Sequence, residues 1–345
     1  MVSPIATYLV HHYGIRLVLC IGAILETTSL LTTSFVRTNW ELFLSQGACF
    51  GIGMGFCFVG SVGVISHWFE KRRSLVNGIA AAGSGIGGLA YSLAIGSMIP
   101  RLGYPWAMRI LGLICLVINT SFGCLLRLPH KSRPHKRQPA MRLTVFRQIE
   151  YILFIAWGVL SCLGYVALLF SLSSYAVAIG LTQHQGSILS AILNLGQALG
   201  RPVVGILSDS LGRVNVAFVA TLFAGVLCLT VWIFAQSMEI ISFFAIAVGL
   251  FAGTIWATAA PLGAEIVGLS NLPSGLGFFW LALAPPLVVS EAIAIQLRGH
   301  SVVSRPYLRV QLFVGFMYVG AAICLAVLKM LLTQNIKEGR QSRKR

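Results

Sequence analysis

Six polar side chains, Ser187, Ser190, Asn194, Gln197, Arg201 and Ser208, recur through an apolar run at spacings of three, four and seven residues. At 100° per residue they fall within an arc of about 80°. A helix through them therefore carries one polar stripe on an otherwise lipid-compatible surface. Arg201 is a permanent cation, and an intramembrane charge costs about 2.5–3.5 kcal/mol even on insertion scales. Such a charge lines a water-filled path, or it is a structural Arg tied to backbone carbonyls or to Asp209. A guanidinium grips a carboxylate through two parallel hydrogen bonds. Ser190, Asn194 and Gln197 are placed to hold the remaining oxygens of a bound anion, or to hydrogen bond between helices. Glu291 follows Pro285 and Pro286 in another apolar run. The prolines remove backbone donors and bend a helix, which suits a gate or a cavity wall. Counted along its run, Glu291 falls in the outer third and Arg201 in the inner third. Glu291 is a candidate proton acceptor for coupling, or a solvated carboxylate of an outer vestibule.

The elements that must carry these groups are membrane helices. Of 345 residues, 57% are hydrophobic and 10% charged, against about 25% charged in soluble domains. The expected class is an all-α polytopic membrane protein. Its partners are then the lipid bilayer and a small molecule, an organic anion if Arg201 binds substrate. The net charge of +16 sits in short segments between apolar runs, as facing anionic lipid requires, so no nucleic acid is expected. The eight cysteines lie inside apolar runs without a CxxC pair. No metal site and no cofactor are expected. An enzyme is disfavoured too, because no nucleophile–base pair, metal cluster or paired carboxylates occur. GSGIGG, Gly83–Gly88, lacks the preceding strand and later acid of a dinucleotide loop. Glu26 is read as structural. The series Gly47, Gly51, Gly55 and the pair Gly249, Gly253 are read as close helix contacts. Trp256, Phe278, Phe279 and Trp280 border an apolar path or simply pack the bundle.

Ten full spans are expected, near 15–36, 42–66, 75–99, 105–126, 150–172, 185–207, 214–235, 240–265, 274–297 and 308–332. Met1–Val10 is a partial one. Lys and Arg in alternate connecting segments number seventeen against five. The richer set, which includes Arg213 and the tail, is placed in the cytosol. Arg298, Arg305 and Arg309 run against that rule. The expected domains are a half-bundle at 1–128, a basic cytoplasmic linker at 129–148, a six-helix half-bundle at 149–332 and a basic tail at 333–345. Pro4–Arg16, PIATYLVHHYGIR, superposes on Pro202–Arg213, PVVGILSDSLGR, with Pro and Gly in register. That repeat implies a two-by-six carrier lacking its first span and the start of its second.

Three segments carry a family likeness: HWFEKRRSLVNGIAAAGSGIGG (His67–Gly88), LGYPWAMR (Leu102–Arg109) and GRPVVGILSDSLGR (Gly200–Arg213). Through them the chain resembles the major facilitator superfamily, and within it the fungal proteins similar to monocarboxylate transporters. The resemblance implies a two-half helical bundle working by alternating access. It also implies an inner-gate latch at Gly205, Asp209, Gly212 and Arg213, for which the alternative is a helix cap plus an inner positive charge. Two departures bear on coupling. The position one turn before Arg201, a carboxylate in the animal transporters, is Gln197, and the span that supplies their coupling lysine has no counterpart. A co-transported proton therefore stays open. The functions expected are carriage of a small organic anion such as a monocarboxylate, efflux of a fungal secondary metabolite, or a non-transporting sensor or inactive product. The location expected is the plasma membrane, with vacuolar or other internal membranes as alternatives.

Overall fold

The computed structural model describes residues 2–69, 72–126, 148–268, 271–298 and 305–342. No strand occurs among them. The helices are α1 Ser3–Tyr13, α2 Ile15–Thr33, α3 Asn39–Leu42, α4 Phe50–Trp68, α5 Arg73–Leu102, α6 Tyr104–Leu125, α7 Ile149–Ala178, α8 Gln183–Leu211, α9 Arg213–Thr230, α10 Met238–Ala252, α11 Thr254–Val267, α12 Leu272–Leu297 and α13 Leu308–Ser342. A π-helical segment, Phe43–Cys49, joins α3 to α4, and a 3-10 turn, Trp232–Phe234, follows α9.

Among the described residues, nine helical runs are long and apolar enough to cross a membrane. They correspond to nine of the ten expected spans. The tenth, expected at 185–207, is α8, which has 29 residues and so about 43 Å of length. It falls short on composition, since the polar stripe lowers its hydropathy. The chain is thus an all-α multi-pass membrane protein. Large apolar side chains such as Val117, Phe122 and Phe316 stay exposed on its helices, as a lipid solvent allows. α1, with 11 residues, is too short to span.

Gly14 and Gly212, paired by the internal repeat, both have positive φ, 86° and 95°. Each ends one helix and starts the next. With ψ of 162° and 135°, this backbone region is nearly closed to other residues. The Pro-to-Gly register thus marks one turn used twice.

The chain divides into two compact units, one from Met1–Glu70 and Leu93–Gln138, the other from Lys71–Ser92 and Pro139–Arg345. In the smaller, α2 packs on α4 and α6. The close approach is made at Gly22 and Gly53, where an added Cβ would lie 2.6 Å from Cys57 Sγ and 2.8 Å from Glu26 N. It is not made at Gly47 and Gly51: a Cβ at Gly51 meets nothing within 4 Å, and one at Gly47 meets only the Phe43 ring. Pattern alone does not say which face of a glycine-rich helix meets a neighbour. Glu26 is buried and accepts a 2.6 Å hydrogen bond from Asn119 Nδ2.

In the larger unit, α13 packs on α7 and α9, α10 on α8, and α12 on α7. Two apolar clusters fill it, one around Leu168, Trp232 and Phe244, the other around Phe154, Trp157 and Phe279. Phe279 is fully buried and stacks on Phe154 at 4.3 Å, so it is core rather than path. α8 meets α10 through glycine, as expected for Gly249: a Cβ there would lie 2.5 Å from Leu193 O. The basic linker at 129–148 falls outside the described residues except for Gln148, as do Lys71 and Arg343–Arg345.

Candidate functional site

Both candidate sites are built on α8 and lie in the larger unit. Its start is set by a capping box. Thr182 Oγ1 accepts from Gln185 N at 3.2 Å, and Gln185 Oε1 accepts from Thr182 N at 2.9 Å. From there the helix runs unbroken through Pro202 to Leu211. Its polar stripe divides in two. Ser190 donates to Gly186 O and Asn194 Nδ2 to Ser190 O, so both bond within their own helix and neither joins Arg201. Gln197 and Arg201, 1% and 3% exposed, are hydrogen bonded to each other.

Arg201 Nη1 donates to Ala81 O at 2.6 Å and to the Ser84 hydroxyl, both on α5. Nη2 donates to Gln197 Oε1 at 2.5 Å and to the Tyr165 hydroxyl at 3.4 Å. Tyr165 in turn donates to Gln197 Oε1 at 2.8 Å. Every acceptor is neutral. Nε of Arg201 and Nε2 of Gln197 are buried without a partner among the described residues. The guanidinium lies against Gly253, at the interruption between α10 and α11. A Cβ there would sit 2.7 Å from Nε, so the helix needs glycine at that point. The Tyr165 ring meets Trp256 edge-on at 6.2 Å, and Trp256 stacks on Trp280 at 5.4 Å. A cation, an amide and a phenol thus adjoin a flat aromatic pair.

Sequence reasoning missed Tyr165 and Ser84. Tyr165 is a lone hydroxyl in the apolar α7, and Ser84 lies in a glycine-rich run that reads as packing. The tie to Ala81 O is the backbone contact expected of a structural Arg, while Asp209 is engaged elsewhere. Glu291 stands outside this cluster. Its neighbour Ser290 donates to Leu163 O of α7 at 2.6 Å. Glu291 Oε2 is buried without a hydrogen-bond partner among the described residues.

The second site is at the end of α8. Asp209 Oδ1 and Oδ2 accept from Ser74 N at 3.2 Å and Leu75 N at 3.0 Å. These are two of the amides that a helix start leaves without partners. A carboxylate from α8 therefore caps α5. Gly205 permits the approach, since a Cβ there would lie 2.5 Å from Ser74 O. Gly212 makes the turn, and Arg213 Nη1 donates to Pro261 O at 3.4 Å. Asp209→Ala is expected to cost about 0.5–2 kcal/mol, the range for losing a helix cap. It should also speed hydrogen exchange at the Ser74 and Leu75 amides, read by mass spectrometry.

The family profile described as Major Facilitator Superfamily matches residues 1–284. The probable transporter MCH2 of Saccharomyces cerevisiae is 35% identical over 331 residues, covering 95% of this chain and 70% of that protein. The chain belongs to the Major Facilitator Superfamily. Its members are membrane transporters, not enzymes. Two further relatives are the uncharacterized transporter ESBP6 of Saccharomyces cerevisiae, 31% identical, and the fujikurins efflux protein of Gibberella fujikuroi, 29% identical. They share 95% and 96% of this chain, which spans 50% and 71% of their own lengths. Among solved structures, the fucose:proton symporter of E. coli superposes with a TM-score of 0.69 at 12% identity, over 95% of this chain and 87% of that one. The chain therefore has the major facilitator fold.

Proposed function

We propose that this major facilitator protein is a secondary carrier for a small organic anion such as a monocarboxylate, moved by alternating access. One observation carries the reading: the Arg201 guanidinium is 3% exposed and its partners are all neutral oxygens. A buried charge of this kind is costly unless an opposite charge meets it. A carboxylate arriving from water supplies that charge, and Nε and Gln197 Nε2 are the donors left over for its oxygens. Asn194 and Ser190, further along α8, join the substrate only by exchanging their intrahelical bonds. The Trp256–Trp280 stack gives the substrate's body an apolar face.

The loop at Gly205, Asp209, Gly212 and Arg213 acts as the inner latch, released when Asp209 leaves the α5 amides. The basic excess puts this end of the helices, and the C-terminus, in the cytosol. We place the carrier in the plasma membrane. Glu291, an acid inside a span, is the candidate for proton coupling. Uptake of labelled lactate, pyruvate and acetate into proteoliposomes, with and without an inward-acid pH gradient, tests the substrate class. Stimulation by the gradient that is lost in Glu291→Gln supports coupling through that group, and gradient-independent uptake removes it. A second reading, efflux of a larger metabolite, draws on the stacked tryptophans and on the efflux proteins among the relatives. Export of aromatic acids in preference to lactate would favour it.

A further inference from the structure

Arg298, Arg305 and Arg309 stand in a segment where the charge rule expects few cations. Two of them have structural work in the larger unit. Arg298 lies over the Tyr307 ring, 4.8 Å from its centroid. Arg305 borders a cavity of about 300 Å³ together with Tyr175, Ile233, Gln236, Tyr307 and Gln311. That volume is at the lower end for small-molecule sites, about 300–1,000 Å³. The cavity lies where α7 ends and α13 begins. Tyr175 is ten residues beyond Tyr165 on α7, about 15 Å along the helix, so the cavity is separate from the Arg201 cluster.

Hydrogen bonds fix two of its walls. Tyr175 donates to Ala235 O at 2.7 Å, and Gln311 Nε2 donates to Trp232 O at 3.0 Å. Tyr307 is 3% exposed, and its hydroxyl lies beside the Ser174 hydroxyl. A carboxylate oxygen is a stronger acceptor than a hydroxyl, so an anion in the cavity can take the Tyr307 donor. Burial pushes the Tyr307 phenol up, more than Arg298 and the nearby Ser174 hydroxyl pull it down, so it keeps its proton. Glu291 is the described carboxylate whose charge reaches Tyr307, and it opposes an anion there. The exposed Arg305 guanidinium borders the cavity itself.

We propose that this cavity is an anion-binding subsite for a small carboxylate with a flat apolar body. Arg305 holds the carboxylate, the Tyr307 hydroxyl and Gln236 amide donate to it, and the Tyr175 ring and Ile233 pack its body. The subsite gives the outlying arginines a purpose, and it stands whether or not Arg201 binds substrate. The test removes the central cation first. Arg201→Gln protein is titrated with benzoate by calorimetry, with benzamide as the neutral match. Benzoate binding is expected to persist. Adding Arg305→Gln should weaken it about tenfold, as expected for one charge-assisted contact, and Arg305→Lys should restore part of it. Tyr307→Phe, which keeps the ring beneath Arg298, should weaken it several-fold. Benzamide should bind far more weakly and ignore Arg305. Absence of benzoate binding in Arg201→Gln, or equal binding with and without Arg305, overturns the subsite. Failure of the Arg201 reading would appear separately, as transport that survives Arg201→Gln.

Discussion

Arg201→Gln is expected to abolish carboxylate transport while leaving the protein at least as stable as the parent. The two effects have one cause. A guanidinium 3% exposed gives up its hydration for four neutral oxygens. Replacing such a charge by a neutral group of similar shape is often neutral or stabilising. The substrate loses what the fold does not. Hydrogen bonds to charged groups contribute about 1.5–3 kcal/mol each, so losing the Nε contact should cut affinity about tenfold to a hundredfold. Arg201→Lys keeps the charge but not the planar fork. An ammonium cannot reach the Ala81 and Ser84 side and the Gln197 and Tyr165 side together, so it should lose at least about tenfold. Thermal unfolding in detergent beside proteoliposome uptake reads both effects. A large fall in stability with uptake intact would make Arg201 purely structural.

Gly78→Val should be nearly as damaging, although no charge or substrate contact is touched. A Cβ at Gly78 would lie 2.4 Å from Arg201 O, and its other near neighbours are also backbone, so nothing flexible can give way. α5 must move off α8. That shift carries Ala81 and Ser84 away from Nη1, and Ser74 and Leu75 away from Asp209. Overpacking of this kind costs about 1–3 kcal/mol. If the latch closes once per cycle, the whole penalty falls on the closed state. A tenfold or greater loss of uptake is expected, with faster exchange at the Ser74 and Leu75 amides. Gly83→Ala on the same helix, where a Cβ meets nothing within 4 Å, should be silent in both measurements. Equal behaviour of the two variants would show that the α5–α8 approach is not needed.

The helices themselves were legible because lipid demands long apolar runs, and such runs survive any reading of the sequence. The Gly14 and Gly212 turns were legible through the Pro-to-Gly repeat, since few residues but glycine adopt that backbone. Arg201 stood out for a related reason: a cation inside an apolar run must be explained. Its surroundings did not stand out. Ala81 contributes a carbonyl, which no side-chain pattern encodes. Ser84 and Tyr165 come from two other helices, at depths set by how those helices slide past α8. Asp209 was legible as a helix-end charge, but its partners are backbone amides of α5, and pairing with amides leaves no trace in residue identity. The spent hydrogen bonds of Ser190 and Asn194 show the converse, since a residue can belong to a stripe and still satisfy itself within its own turn.

The central claim is that Arg201 holds the substrate's carboxylate. Counterflow in proteoliposomes loaded with unlabelled lactate tests it most directly, with labelled lactate outside and the wild-type and Arg201→Gln proteins at equal reconstitution. The account predicts rapid exchange by the wild type that excess pyruvate suppresses and pyruvamide does not, and no exchange above empty vesicles by Arg201→Gln. Exchange in Arg201→Gln at the wild-type rate, or equal suppression by the acid and its amide, would contradict it.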